Sequence, residues 1–258
     1  MKVGIFDSGI GGLSVLHKAL KEMPNTEFIY YGDTARAPYG EKSPEELIVY
    51  IEEIVNFLID KGVDAIVIAC NTATVIATKE FRAKFSVPIV GMEPAVKKAV
   101  EEYQHTNKRI LVTATPITIA GEKLQSLLER VDHKKLTDLL PLPGLVRFAE
   151  KGDFYSEEIE AYLRAELEPF PLEEYTALVL GCTHFGYFKK QFCKIFPGKI
   201  HFVDGNEGTV RQLKRVLPEQ NDKSEQRVEY YYSGKRLDDQ EMKQIEVYMN
   251  HLDLMYEI

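Results

Sequence analysis

Short apolar runs with the continuity of buried strands recur along the chain, separated by stretches whose apolar positions fall three and four apart. Those two periods predict strands over 2–6, 27–31, 64–69, 87–90, 109–113, 176–181, 199–203 and 227–232. They predict helices over 11–22, 72–84, 94–104, 117–130, 156–167, 187–196, 207–217 and 239–249. The plainest helix starts at Ser43, where Pro44 and Glu46 supply a first-turn proline and a capping-box acid. Leu47, Tyr50, Ile51, Ile54, Val55 and Leu58 then share one face, and Gly62 gives the stop. Strand alternating with helix throughout points to an α/β fold with parallel sheets.

The pattern also repeats on a larger scale. Val3-Gly-Ile-Phe-Asp7 matches Ile110-Leu-Val-Thr-Ala114 in type and place, and Cys70 and Cys182 follow at nearly the same offset. Two similar open-sheet α/β domains are therefore expected, with the active site in the cleft between them. The first is expected to comprise 1–93 and 205–258, the second 94–204, with crossings near Glu93-Pro94 and Asp204-Gly205-Asn206.

Composition narrows the function. The 258 residues carry a formal net charge of -8, which argues against non-specific nucleic-acid or anionic-membrane binding. No apolar run approaches the length that spans a bilayer. Three cysteines form no disulfide framework, and Met1 leads straight into a strand, so a cytoplasmic protein without a secretory signal is expected.

Chemistry concentrates at strand tips, where open α/β sheets bind ligands. Cys70-Asn71-Thr72-Ala73 and Cys182-Thr183-His184-Phe185 each follow a buried run, so two thiols stand in parallel contexts where helices begin. An ordinary cysteine is mostly protonated at neutral pH, and a helix start or a cationic neighbour lowers its pKa. A matched pair therefore suggests an acid and a base acting on one substrate from opposite sides, with His184 near Cys182. A zinc site lacks ligands, and a Cys-His acyl-transfer pair leaves Cys70 unused. Cys193, beside Phe192 and Phe196, reads as core; His17, His105, His133 and His201 read as surface or cap residues. Asp7-Ser8-Gly9-Ile10-Gly11-Gly12 has the wrong glycine spacing for a dinucleotide fingerprint. In the loop after the second strand, Arg36 is expected to brace Asp33, and Pro38-Tyr39-Gly40 to form a rigid turn facing the cleft.

In order and context these elements resemble the cofactor-independent glutamate racemases of the aspartate/glutamate racemase group. The likeness rests on Phe6–Gly12, Tyr31–Arg36 with Pro38-Tyr39-Gly40, Cys70–Ala73, Thr115 with Thr118, and Leu180–His184. It implies interconversion of L- and D-glutamate without cofactor or metal, supplying D-glutamate for peptidoglycan, by a homodimer. It also implies that Cys70 deprotonates D-glutamate and Cys182 L-glutamate, assisted by Asp7 and His184 respectively. Ser8, Asn71, Thr72 and Thr183 would hold the α-amino and α-carboxylate groups, with Tyr39, Gly40, Thr115 and Thr118 nearer the rest of the substrate. Glu150 resembles an acidic position near the second cysteine in some members, and a solvated helix end is the equal alternative. Two departures stand out: Phe185-Gly186-Tyr187 lacks the family's proline, and Leu142 occupies a place where many members carry cysteine. The competing readings are a racemase of aspartate or a related amino acid, and a regulatory binding protein on the same scaffold.

Overall fold

The computed structural model describes residues 1–92, 95–106, 108–218 and 225–258. Its first sheet begins with β1 (Lys2–Asp7), α1 (Leu13–Glu22), β2 (Glu27–Gly32), α2 (Pro44–Asp60) and β3 (Ala65–Ile68). The short α3 (Asn71–Ile76) and α4 (Lys79–Arg82) precede β4 (Ile89–Gly91). A second sheet follows, through α5 (Ala95–Tyr103), β5 (Arg109–Ala114), α6 (Pro116–Ala120), α7 (Glu122–Val131), β6 (Thr137–Pro141) and α8 (Pro143–Glu150). It finishes with α9 (Glu157–Leu167), β7 (Tyr175–Gly181), α10 (Lys189–Ile195) and β8 (His201–Val203). The chain then returns through α11 (Asn206–Val216), β9 (Arg227–Tyr232), β10 (Lys235–Arg236) and α12 (Asp239–Tyr256).

Both sheets share one winding plan. β1 pairs in parallel with β2 on one side and β3 on the other, with β4 beyond; β5 is flanked in the same way by β6 and β7, with β8 beyond. β9 extends the first sheet alongside β2, and β10 turns back on it antiparallel. This is the repeated α/β architecture that the sequence pattern predicts. Winding first one way and then the other opens a crevice at the strand tips beside β1 and beside β5. Asp7 and Cys70 stand at one crevice, Thr115 and Cys182 at the other.

Local chemistry explains where elements start and stop. Ser43 accepts the Glu46 amide at 3.2 Å and Glu46 answers the Ser43 amide at 3.0 Å, closing the capping box that starts α2. The helix expected over 72–84 breaks at Ala77, because Thr78 caps a new turn through the Phe81 amide. The one expected over 117–130 breaks at Gly121, and the stretch 187–196 is preceded by a 3-10 turn, Thr183–Phe188, before α10. β6, α8 and β10 were not anticipated. Pro141 and Pro143 punctuate the sequence like a loop, yet Pro143 sits in the first turn of α8, where no amide donor is needed. Cys193 is a correction: it faces solvent, while Phe192 and Phe196 take the buried positions. His17 is another, being buried against Tyr256 and paired with Asp253 at 2.8 Å. The Glu93-Pro94 crossing lies outside the described residues.

Among the described residues no helix is long and apolar enough to cross a membrane. The largest apolar cluster runs from β1 and α1 through α8, β7 and α12, so the two halves share one interior. Leu252 of α12 is 1% exposed within it. Leu252→Ala is expected to cost roughly 2–5 kcal/mol, against about 1 kcal/mol for Ser43→Ala at its exposed cap. Urea-unfolding midpoints of the two variants check both the sizes and the order.

Candidate active site

Cys70 follows β3 and caps α3, its Sγ accepting the Ala73 amide at 3.4 Å and donating towards Ser8 Oγ at 3.8 Å. The thiol is 5% exposed. Burial pushes its pKa up, the nearby Asp7 carboxylate adds to the rise, and the Ala73 amide pulls the other way. Cys182 follows β7 in the matching position but has a different neighbour: its Sγ lies 3.6 Å from His184 Nδ1.

His184 is almost wholly buried, and its Nε2 lies 2.5 Å from Glu150 Oε1. Burial by itself would depress the imidazole, but Cys182 and Glu150 outweigh it and raise the pKa well above the ordinary value. The same Glu150 oxygen accepts the Ile10 amide at 2.8 Å, so one carboxylate at the end of α8 joins the two halves. Asp7, fully buried, accepts the Gly9 amide at 3.2 Å and the Thr183 hydroxyl at 3.1 Å. Burial raises its pKa, with His184 opposing. Its charge therefore reaches Cys70, while its hydrogen bond runs to the residue after Cys182.

Glycine makes this approach feasible. A Cβ at Gly9 would lie 1.8 Å from Glu150 Oε1, and one at Gly11 2.4 Å from Thr183 Oγ1. The glycine-rich turn thus receives side chains from the other half of the molecule.

A chain of hydroxyls crosses the cleft nearby. Thr72 and Thr115 are 2.9 Å apart, and Thr115 reaches the Thr118 hydroxyl at 3.0 Å while capping α6. Gly40 packs beside Thr115, where a Cβ would come within 3.2 Å. Tyr39 lends its ring to the cavity but donates its hydroxyl to Asp33. Asp33 also accepts Arg36 Nε at 2.6 Å and the Ser233 hydroxyl at 3.0 Å. Arg36 therefore braces this loop as its sequence position suggested.

Ser8, Tyr39, Gly40, Cys70, Asn71, Thr72, Thr115, Cys182 and His184 line one tight cavity. Asp7, Thr183 and Glu150 stand behind it, joined by the hydrogen bonds above, and Thr118 lines an apolar cavity that also touches Asn71. The sequence reading brought these residues together but missed Glu41, Pro143 and Val146, which complete the wall. The spacing of Pro143, Val146 and Glu150 was the available signal, a helical stripe hidden by the prolines. Among the described residues no cluster of three or more His, Cys, Asp or Glu is placed to hold a metal ion. What the arrangement offers is two thiols presented to one enclosed space from two different sheets.

Comparison with known proteins agrees with this geometry. Residues 8–213 match the model of the Asp/Glu/hydantoin racemase family. A glutamate racemase of Campylobacter curvus is 51% identical over the whole of both chains. The crystal structure of glutamate racemase from Campylobacter jejuni superposes with a TM-score of 0.80 at 32% identity, covering 97% of this chain and 98% of that one. That of the Francisella tularensis enzyme, in complex with D-glutamate, gives 0.78 at 27% identity over 96% and 93%. By sequence and by structure alike, the chain belongs to the Asp/Glu/hydantoin racemase family.

Proposed function

We propose that this protein interconverts L- and D-glutamate by two-thiol acid/base catalysis, supplying D-glutamate for bacterial peptidoglycan from the cytoplasm. The observation that carries this reading is the convergence of Cys70 and Cys182 on one cavity from the matching tips of two sheets. The full-length likeness to glutamate racemases supports glutamate over aspartate as substrate. The domains are 1–93 with 205–258 and 94–204, and the assembly is a homodimer.

In the direction from D to L, the Cys70 thiolate removes the α-proton and the Cys182 thiol delivers its own proton to the opposite face. The reverse direction exchanges the roles. Ser8, Asn71, Thr72 and Thr183 hold the α-amino and α-carboxylate groups, while Tyr39, Gly40, Thr115 and Thr118 bound the side chain. His184 serves Cys182 directly: its imidazolium, held by Glu150, stabilises a thiolate 3.6 Å away. Asp7 serves Cys70 through charge, since the substrate's α-ammonium offsets the repulsion between carboxylate and thiolate. The carbanion-like transition state is met by fixed dipoles in a nearly dry site. Amides at the starts of α3 and of the turn after Cys182 provide them.

Each thiol carries one proton, which fixes the isotopic outcome. In deuterated water, early product should carry deuterium at the α-carbon while unreacted substrate stays largely protiated, as read by mass spectrometry. Cys70→Ala and Cys182→Ala should each abolish inversion, whereas the remaining thiol exchanges the α-hydrogen of the one enantiomer it faces. Early product rich in the original hydrogen would count against two thiols, and inversion surviving in either variant would do so equally.

The raised His184 pKa has a sign that can be tested. Glu150 favours the imidazolium, so Glu150→Gln should lower the His184 pKa, burial then being less opposed. Nitrogen-15 NMR titration of the ring is expected to show the midpoint moving to lower pH. An unmoved or rising midpoint would contradict the assignment. Because enantiomers are equal in free energy, kcat/KM stays equal in the two directions, and any asymmetry appears in kcat and KM separately.

A further inference from the structure

The cavity between the thiols has a volume of about 20 Å3, room for about one water molecule. Glutamate has ten non-hydrogen atoms, so a wall must move to admit it. One wall is α8, whose residues Pro143 and Val146 line the cavity and whose last residue, Glu150, holds His184. On the same helix Arg147 reaches across to Glu41, the residue after Gly40 in the opposite half. Its Nη2 and Nε both donate to Glu41 Oε1, at 2.5 and 3.0 Å. α8 is thus held to the first half at two points, deep through Glu150 and the Ile10 amide, and at the rim through Arg147 and Glu41.

We propose that Arg147 and Glu41 are positioning residues that latch α8 over the bound substrate, seating Glu150 behind His184 each time the cleft closes. The proposal rests on the racemase reading above and adds the step that the thiols alone do not explain. The exposure of the pair suits the role. Arg147 and Glu41 are 63% and 41% exposed, and exposed ion pairs are weak and screened by salt. Such a pair contributes little to holding the fold together, yet it shifts a balance between open and closed forms severalfold. The deep contact is the opposite: Glu150 and His184 are 17% and 2% exposed, and separating them strands buried charge. A rim contact that opens cheaply, ahead of a core contact that closes firmly, is the order a substrate gate needs.

The charges allow a test that separates a latch from simple attraction of an anionic substrate. A latch requires both residues, so Arg147→Gln and Glu41→Gln should each raise KM for glutamate at least threefold, with a smaller fall in kcat. The exchanged pair Glu41→Arg/Arg147→Glu tests the pairing itself, and because residue 41 also lines the cavity it is read by hydrogen exchange rather than by KM. Hydrogen exchange of the amides over 145–150 gives a readout independent of turnover. It should quicken at least threefold in both single variants, return in the exchanged pair, and quicken in the wild-type protein in about 0.5 M sodium chloride. If Glu41→Gln lowers KM instead, Arg147 merely attracts substrate and the latch is overturned; failure of the exchanged pair to restore the exchange rates overturns it too. Wild-type protein that shows the exchange pattern but does not racemise glutamate would overturn the racemase reading while still supporting the latch.

Discussion

The close approach of the second half of the molecule to the backbone of the Gly9–Gly12 turn is the constraint on which the site depends. Glu150 reaches the Ile10 amide, and Thr183 reaches Asp7, only because Gly9 and Gly11 present no side chain. A single added methyl group at Gly9 would lie 1.8 Å from the Glu150 carboxylate oxygen, far inside van der Waals contact distance. The glycines commonly associated with phosphate binding are used here for contact between two parts of one chain. The turn also places the fully buried Asp7 within the field of His184, so packing and charge are set together.

The two thiols occupy equivalent places but unequal environments. Cys70 has a hydroxyl and a backbone amide for company, and burial with Asp7 discourages its ionisation. Cys182 faces a histidine kept cationic by a carboxylate. The two strand tips therefore set unlike charges beside their thiols, a carboxylate near Cys70 and an imidazole next to Cys182. The repeated winding plan gives the fold its symmetry, and the side chains around each strand tip break it. The proposed two-thiol reaction would use that inequality, since one thiol must hold a proton while the other lacks one.

Much of this was legible in the amino-acid order. Cys70 and Cys182 end uninterrupted apolar runs, which marks them as strand tips, and Ser43 to Glu46 spells out a helix start. The β6–α8 segment was not legible, because two prolines mask a short strand and the first turn of a helix. Without α8, Glu150 rests on the family resemblance alone, and Pro143 and Val146 are absent from the wall of the cavity. Asp33 shows a different limit. Its partners Tyr39 and Arg36 are near in sequence, but Ser233 is 200 positions away, and no local pattern announces such a contact. Cys193 differs for a simpler reason: one step along α10 from the buried Phe192 turns it to solvent, and Phe196 is buried from beyond the helix end, where the chain is extended.

The position of β9 has a consequence for how the protein is made. β2 pairs on one side with β1, its early neighbour, and on the other with β9, from Glu27 against Arg227 to Gly32 against Tyr232. During synthesis the first sheet can form while the ribosome is still producing the second half, but the β2 edge stays open until the late strand emerges. Open edges invite pairing with other chains, and early domains fold ahead of later ones. The turn after β9 also delivers Ser233 to Asp33 and to the Ala35 amide, fastening the loop that carries Tyr39 and Gly40. A nascent chain holding both cysteines but lacking that turn has its thiols without this brace on the wall beside them. One late segment thus does two things at once: it covers the open edge of β2 and fastens the loop that lines the cavity.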